Sequence, residues 1–327
     1  MNIQDLQQLY ARHPQVKALS KALADEQVRN ITLEGLTGSA AAMVFAGLAT
    51  TGGQQDAAKA PAPLPPLLFV MQDNDEAGYL YHDLCQLMGD DRVLFFPSSY
   101  RRAIKYAQKD PASEILRTET LTKMRAQPHY PSSLYVITFP EALAEMVVTR
   151  KQLDANCLTL MQGQTHEVDS LCDELRQLGF HEVEYVYEPG QFALRGSILD
   201  VFSFSHEQPF RIDFFGDEID SIRTFEVQTQ LSQERCQQAD IVPEMTGETQ
   251  RESMLSFLPD NAVLIYKNRR YAREAIEQIY QEGFSSQAMQ ERMEAATEME
   301  RRELEKEMRR ESLIVTGQQL ASEAERV

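Results

Sequence analysis

Two stretches of the sequence hold residue types arranged as chemistry would need them. Gly35-Leu36-Thr37-Gly38-Ser39 lies between an apolar run, Val28 to Leu33, that reads as a strand, and an alanine-rich run, Ala40 to Leu48, that reads as a helix. A glycine turn from a strand into a helix is the setting of a phosphate-binding loop, where backbone N–H groups at the helix N-terminus meet phosphate oxygens. A working loop continues with Gly-Lys-Ser/Thr. The lysine neutralises the β- and γ-phosphates, and the hydroxyl holds magnesium. Here the corresponding residues are Ala40, Ala41 and Ala42. They supply neither charge nor metal ligand, so the charge that develops in phosphoryl transfer has nothing to stabilise it. Gly35, Gly38, Ser39, Ala40, Ala41 and Ala42 are therefore read as a degenerate, inactive loop, and neither ATP hydrolysis nor a cofactor is expected of these residues. Asp75-Glu76-Ala77, after an apolar strand at 67–71, has only the outline of an acidic metal-binding segment. With the lysine missing from the loop it would serve, Asp73, Asn74 and Asp75 are read as a helix N-terminus, which they suit through capping and the helix dipole.

The second stretch is Pro209 to Val227, PFRIDFFGDEIDSIRTFEV, which reads as a hairpin turning at Gly216-Asp217. Strand periodicity puts Phe210, Ile212 and Phe214 on one face and Arg211, Asp213 and Phe215 on the other. The first set makes a core face. The second is either an ordinary polar face with one stray aromatic or a binding surface, because Arg and large aromatics are the residue types that anchor interfaces. The turn is expected to set Glu218 opposite Phe215 and Asp220 opposite Asp213. From Cys157 to Pro243 there are five arginines (Arg176, Arg195, Arg211, Arg223, Arg235), no lysine and sixteen acidic residues, a balance of −11. Arginines without lysine suit forked pairing with carboxylates better than tracking of phosphates.

The elements that would carry these residues fall into two kinds. Up to about Ala155, short apolar strands (67–71, 93–96, 134–139) alternate with helices (75–88, 112–126, and one from Pro140), which implies parallel pairing with helices on the sheet faces. Residues 1–27 read as helical. Thr51 to Pro66 reads as a loop because its proline run suits no helix or strand interior. After a helix at 168–178, strands at 183–187, 192–202, 210–215 and 218–227 follow one another, which implies antiparallel hairpins. From about Glu244 α/β character returns, with a strand at 262–266 and a helix at 271–280. The Glu- and Arg-rich stretch 285–311 reads as a solvated helix held by i, i+4 charge pairs.

The totals restrict what such a chain does. Its 327 residues, 43% hydrophobic and 25% charged, suit two to three domains with real cores. A formal net charge of −18 disfavours non-specific duplex binding, which draws on Lys and Arg to neutralise phosphates, and favours a protein partner. The four cysteines are far apart with no CxxC pair, and His82 with Cys85 lacks a second ligand pair, so no metal is expected. No apolar run approaches a membrane span, and MNIQDLQQLY lacks the form of a signal peptide, so the expected location is the cytoplasm and no membrane contact is expected.

The stretch Glu184 to Ser232 resembles the UvrB homology module. Arg195-Gly196, Asp200-Val201-Phe202 and the run Pro209 to Ile222 match its long signature, and Gly35 to Ser39 resembles the start of the UvrB nucleotide loop with the Gly-Lys-Thr end replaced. The resemblance covers residues 1 to about 270. Two families carry the module. UvrB is an ATP-dependent damage-verifying subunit with an intact loop and an aromatic hairpin for gripping DNA. The bacterial transcription-repair coupling factors (Mfd) use the module without ATPase activity. The alanines at 40–42, and the short SSYRRAIKYAQKDPASE where the hairpin would stand, point to the coupling factors, with a UvrB-like damage-verification subunit as the alternative. The resemblance implies a non-catalytic N-terminal module that recruits UvrA, with Arg195, Arg211 and Phe215 as its contact residues. It implies that the whole protein is an ATP- and magnesium-dependent DNA translocase whose RNA polymerase and DNA contacts lie downstream. No helicase motif occurs in the 327 residues. The expected architecture is an α/β fold with a parallel-sheet, P-loop-like domain at 1–155, an inserted α+β domain of antiparallel hairpins at 156–243 that binds UvrA, and a return segment at 244–327 that packs with the first.

Overall fold

The computed structural model describes residues 2–25, 27–51, 64–99, 110–125, 134–245, 250–283, 294 and 314–325. The proline-rich run at 52–63, most of the short segment at 98–114 and the charged stretch at 285–311, save residue 294, lie outside the described residues. With elements numbered along the chain, β1 (Leu67–Val70), β2 (Val93–Phe95), β3 (Tyr135–Thr138) and β14 (Val263–Tyr266) form one parallel sheet in the order β14-β1-β3-β2. β1 and β3 are buried along their whole length, as continuous apolar strands covered on both faces must be. Helix α4 (Asn74–Met88) joins β1 to β2, and α5 (Pro111–Arg125) precedes β3.

The first 25 residues make two helices, α1 (Ile3–Arg12) and α2 (Pro14–Leu23). Pro14 separates them because it suits a first helical turn and no helix interior. Asn2 and Asp5 form a reciprocal capping box at the start of α1. α3 (Ala40–Thr51) crosses α1 closely at Gly47, where a Cβ would stand 3.0 Å from the Ala11 nitrogen. The Tyr135 hydroxyl donates to the Phe45 carbonyl at 2.9 Å, and the Phe45 and Phe69 rings meet edge to face at 4.8 Å, so α3 is fixed to the sheet.

One expected strand does not form. Residues 28–33 form no strand, and Val28, Ile31 and Leu33 are about 40% exposed. Strand parity explains this: a strand here would set Ile31 and Leu33 on one face and Val28 on the other, so neither face would be apolar enough to hold a sheet edge.

β4 (Val147–Val148) and β13 (Arg251–Glu252) make a small antiparallel pair, and α6 (Pro140–Ala144) and α7 (Arg150–Asn156) lead towards the second region. That region is reached and left through β5 (Leu158–Met161) and β12 (Gln238–Ile241), which pair antiparallel with Leu158 opposite Ile241. Between them lie α8 (Val168–Gln177) and a six-stranded sheet. Its strands are β6 (His181–Glu182), β7 (Gln191–Arg195), β8 (Ile198–Val201), β9 (Phe210–Phe215), β10 (Glu218–Phe225) and β11 (Ser232–Cys236), in the order β11-β10-β9-β8-β7-β6. Leu171, Cys172 and Leu175 of α8 pack with Phe192, Leu199, Phe210, Ile212, Phe214 and Ile222 in a core separate from that of the parallel sheet.

Two strand expectations are corrected here. Residues 192–202 form two strands, because Gly196 at φ +62 turns the chain between β7 and β8. Residues 183–187 form none. Val183 and Val186 both turn inward onto Ala193, Phe202 and Phe225, a spacing of three that a flat strand cannot supply.

Arg125 of α5 sits beside the paired tether. It donates to Asp154 at 3.2 Å and to the Cys157 sulfur at 3.2 Å, and stands 3.8 Å from Asp240. Burial, aided by the Asp240 charge and opposed by Arg125, pushes the Cys157 thiol up to about 11. The chain then rejoins the first core through Met254, Leu255 and Phe257, α9 (Arg269–Gly283) and α10 (Gly317–Ala324), whose Ala272, Ile276 and Leu320 are buried in it. The fold is mixed α/β, with a parallel sheet and separate antiparallel hairpin sheets, an arrangement consistent with that of UvrB.

Candidate protein-docking surface

The β9–β10 hairpin has the expected faces. Phe210, Ile212 and Phe214 are buried, Arg211 and Asp213 are half-buried, and Phe215 is 84% exposed. Gly216, at φ +63, takes the first turn position, where a two-residue hairpin turn favours glycine. Glu218 lies opposite Phe215 as expected. Asp220 does not lie opposite Asp213, because a bulge between Ile219 and Ser221 brings Ser221 there instead.

The outer face of this sheet is divided into two halves. One is covered by the segment 183–188 and by the turn 226–231, over the small cluster of Val186, Ala193, Phe202 and Phe225. The other half is open and carries Arg195, Asp213, Arg223 and Phe215. At the boundary lies Asp200, whose side chain is fully buried. Arg211 forks onto it, with Nε donating to Oδ1 at 2.8 Å and Nη2 to Oδ2 at 2.9 Å. Arg195 Nη2 donates to Oδ2 from the other side at 2.5 Å. Sheet register produces this contact, since Asp200 pairs with Arg211 on β9 and with Ala193 on β7.

Arg211 is also held from other sides. Its Nη1 donates to the Gln230 carbonyl at 2.9 Å, its guanidinium lies 4.4 Å over the Phe225 ring, and its side chain is only 14% exposed. The Asp200 carboxylate, mainly through its hydrogen bond, raises the Arg211 guanidinium further above its ordinary value, against the opposing effect of burial. With all three guanidinium nitrogens engaged within the chain, Arg211 secures the surface more than it presents a free charge. Arg195 differs. Its side chain is 33% exposed, its Nη1 donates to the Glu184 carbonyl at 3.0 Å, and it stacks 4.8 Å over Tyr185.

Sequence reasoning missed Asp200, Gln230 and Tyr185 as parts of this arrangement. Asp200 had a signal, an acid inside the apolar run Ile198 to Phe202 at a position that must be paired if buried. Gln230 had none. It is the only non-glycine residue at positive φ among those described (φ 59), and its amide reaches the Val186 and Val227 carbonyls.

The glycine loop stands apart from this face. Residues 35–39 are exposed, Gly35 and Gly38 have positive φ, and no strand precedes them, so the strand–loop–helix setting is incomplete. The acids near 75 serve the helix: Asp73 caps α4 by accepting from the Glu76 nitrogen at 2.9 Å, and Glu76 pairs with Lys267. A cleft of about 600 Å³ between α9 and α10, lined by Tyr266, Arg269, Arg270, Arg273 and Leu320, shares no residue with the outer sheet face. No helix among the described residues is long and apolar enough to cross a membrane.

Comparison with known proteins matches the same region. Residues 158–246 fit the family described as the UvrB interaction domain. Among curated proteins the chain is similar to a transcription-repair-coupling factor of Haemophilus influenzae, 30% identical over 174 residues, which is 53% of this chain and 15% of that protein. It is similar to one of Escherichia coli, 27% identical over 178 residues (54% and 15%), and to one of Myxococcus xanthus, 29% identical over 236 residues (70% and 18%). The matches thus span less than a fifth of these relatives' own lengths. Residues 158–246 thus match the UvrB interaction domain, in a chain that is similar to one part of the transcription-repair-coupling factors.

Proposed function

We propose that this chain is a recruiting module of transcription-coupled DNA repair, and that the open half of the outer sheet face binds UvrA. One observation carries the reading. In the region that matches the UvrB interaction domain, Phe215 is 84% exposed on the same outer sheet face that carries Arg195 and Arg211 paired with the buried Asp200. An aromatic side chain left in water at the tip of a hairpin has no role in the core, and on a face that also presents arginine it has the composition of an interface anchor. Phe215 enters an apolar pocket on UvrA, Arg195 meets a carboxylate there, and Arg211 holds Asp200 and Arg195 in position. The catalytic work belongs to other parts of the whole protein. ATP-driven translocation on DNA and contact with RNA polymerase are assigned outside these residues, and the glycine loop ending in Ala40, Ala41 and Ala42 hydrolyses no nucleotide.

The UvrB-like damage-verifying reading is not favoured, since the curated relatives reported above are coupling factors. Titration of UvrA with the wild-type chain and with Phe215→Ala tests the proposal. About tenfold or greater weakening, with unfolding unchanged, is expected. Full-strength binding by a folded Phe215→Ala chain would place the recruiting surface elsewhere.

A further inference from the structure

We infer that Tyr185 is a positioning residue for Arg195, fixing the guanidinium plane that the proposed UvrA surface presents. The inference rests on the recruiting role proposed above. Arg195 is the more exposed of the two arginines on Asp200 and the only one of the two with a guanidinium nitrogen, Nε, not already committed within the chain. One hydrogen bond to Asp200 and one to the Glu184 carbonyl leave a long side chain free to pivot. The Tyr185 ring, 4.8 Å from the guanidinium carbon, removes that freedom, because a cation is drawn to the face of an aromatic ring.

The ring is itself held by the backbone. The Val183 nitrogen donates to the Phe192 carbonyl at 2.9 Å, and the nitrogens of Tyr187 and Glu188 donate to Gln191 Oε1 at 2.9 and 3.1 Å. Val186, between the two tyrosines, is fully buried, and its carbonyl accepts from Gln230 Nε2. The segment thus has an inward-facing valine that anchors it and an outward-facing Tyr185, 45% exposed, set against Arg195. A tyrosine left this exposed adds little to the core, so its removal costs little stability. Its effect is to pre-organise a charge, and a binding group ordered in advance loses less freedom when the partner arrives.

UvrA titration of the full chain tests this with Tyr185→Leu, Tyr185→Phe, Arg195→Ala, the Tyr185→Leu/Arg195→Ala double variant and Phe215→Ala, alongside thermal unfolding of each. Arg195→Ala is expected to fold, because Arg211 still pairs both oxygens of Asp200. Tyr185→Leu keeps bulk and loses the π face, and should weaken binding about three- to tenfold at unchanged unfolding temperature. Tyr185→Phe keeps the face and should bind within about twofold of wild type. On the Arg195→Ala background the leucine change should have less than about a twofold effect. An equal loss with and without Arg195 would make Tyr185 an independent contact and overturn the positioning role. Full-strength binding by Tyr185→Leu, while Arg195→Ala and Phe215→Ala bind weakly, would overturn the inference and leave the recruiting surface standing. Full-strength binding by all of them would overturn both.

Discussion

Arg211→Ala should destabilise the region between β5 and β12, although Arg211 lies on the outer face of its sheet. The substitution removes both donors of a fork onto a fully buried carboxylate. Stranding a buried charge costs roughly 3–5 kcal/mol when nothing else pairs it. Here Arg195 still donates to Oδ2, and both guanidinium groups have some access to water, so the loss is smaller. The departing side chain also leaves the Gln230 carbonyl without its donor and the Phe225 face uncovered, each about 0.5–1 kcal/mol. A total of about 2–3 kcal/mol follows. The chain has no tryptophan, so circular dichroism in urea gives the free energy. Alkylation of Cys172, buried between α8 and the sheet, reports opening of this region by itself. A loss of 2–3 kcal/mol should speed that labelling by about 30- to 150-fold, at about 1.4 kcal/mol per factor of ten. Asp200→Ala combined with Arg211→Ala should cost less than the sum of the two single changes, because the double variant strands no carboxylate. If Arg211→Ala unfolds within about 0.5 kcal/mol of wild type and Cys172 labels no faster, the buried cluster is not a stabilising element and the account of Arg211 fails.

Other consequences are open to measurement. Phe214→Ala should cost roughly 3–5 kcal/mol as a core truncation, while Phe215→Ala should change unfolding by less than about 0.5 kcal/mol; the reverse order would mean that the faces of β9 are misassigned. Calorimetry with ATP and magnesium should show no micromolar binding, and a stoichiometric heat would contradict the reading of Ala40, Ala41 and Ala42. Cys157 should react slowly with iodoacetamide at pH 8, because its thiol is held protonated up to about 11. The same shift lowers stability as pH rises from about 9 towards 11, since only the unfolded chain has lost that proton there; a Cys157→Ser chain that loses stability just as steeply over this range would exclude the thiol as the cause. Duplex DNA should not be retained by the chain in gel shifts at physiological salt, given its net charge of −18; a tight, salt-sensitive shift would reveal a basic patch.

Much of the fold is legible in the sequence where a periodic pattern has a partner to satisfy it. The strands at 67–70, 93–95 and 135–138 are short apolar runs whose neighbours are each other, and β9 alternates buried and outward residues from Phe210 to Phe215. Failures occur where local pattern and tertiary contact disagree. Residues 28–33 have strand-forming residues but no coherent apolar face. Residues 183–187 have both, and still leave the sheet, because Val183 and Val186 bury better against Phe202 and Phe225 than along an edge. The bulge at Ile219–Ser221 shifts a register that turn length alone would fix, and no residue type announces it. At the site, strand parity identifies Phe215 as outward-facing. It cannot show that Arg211, on the same face, is engaged from three sides, since that depends on Asp200 and Gln230 arriving from strands and turns distant in the sequence.

The pairing of Leu158 with Ile241 has an evolutionary consequence. The chain leaves the first core and rejoins it at adjacent points, so more than eighty residues amount, in the geometry of the parallel sheet, to one loop whose ends already touch. Such a segment can be exchanged between proteins, lengthened, or cut down to a short turn without moving any strand of the host. The host sheet and the inserted surface are thereby free to diverge at different rates.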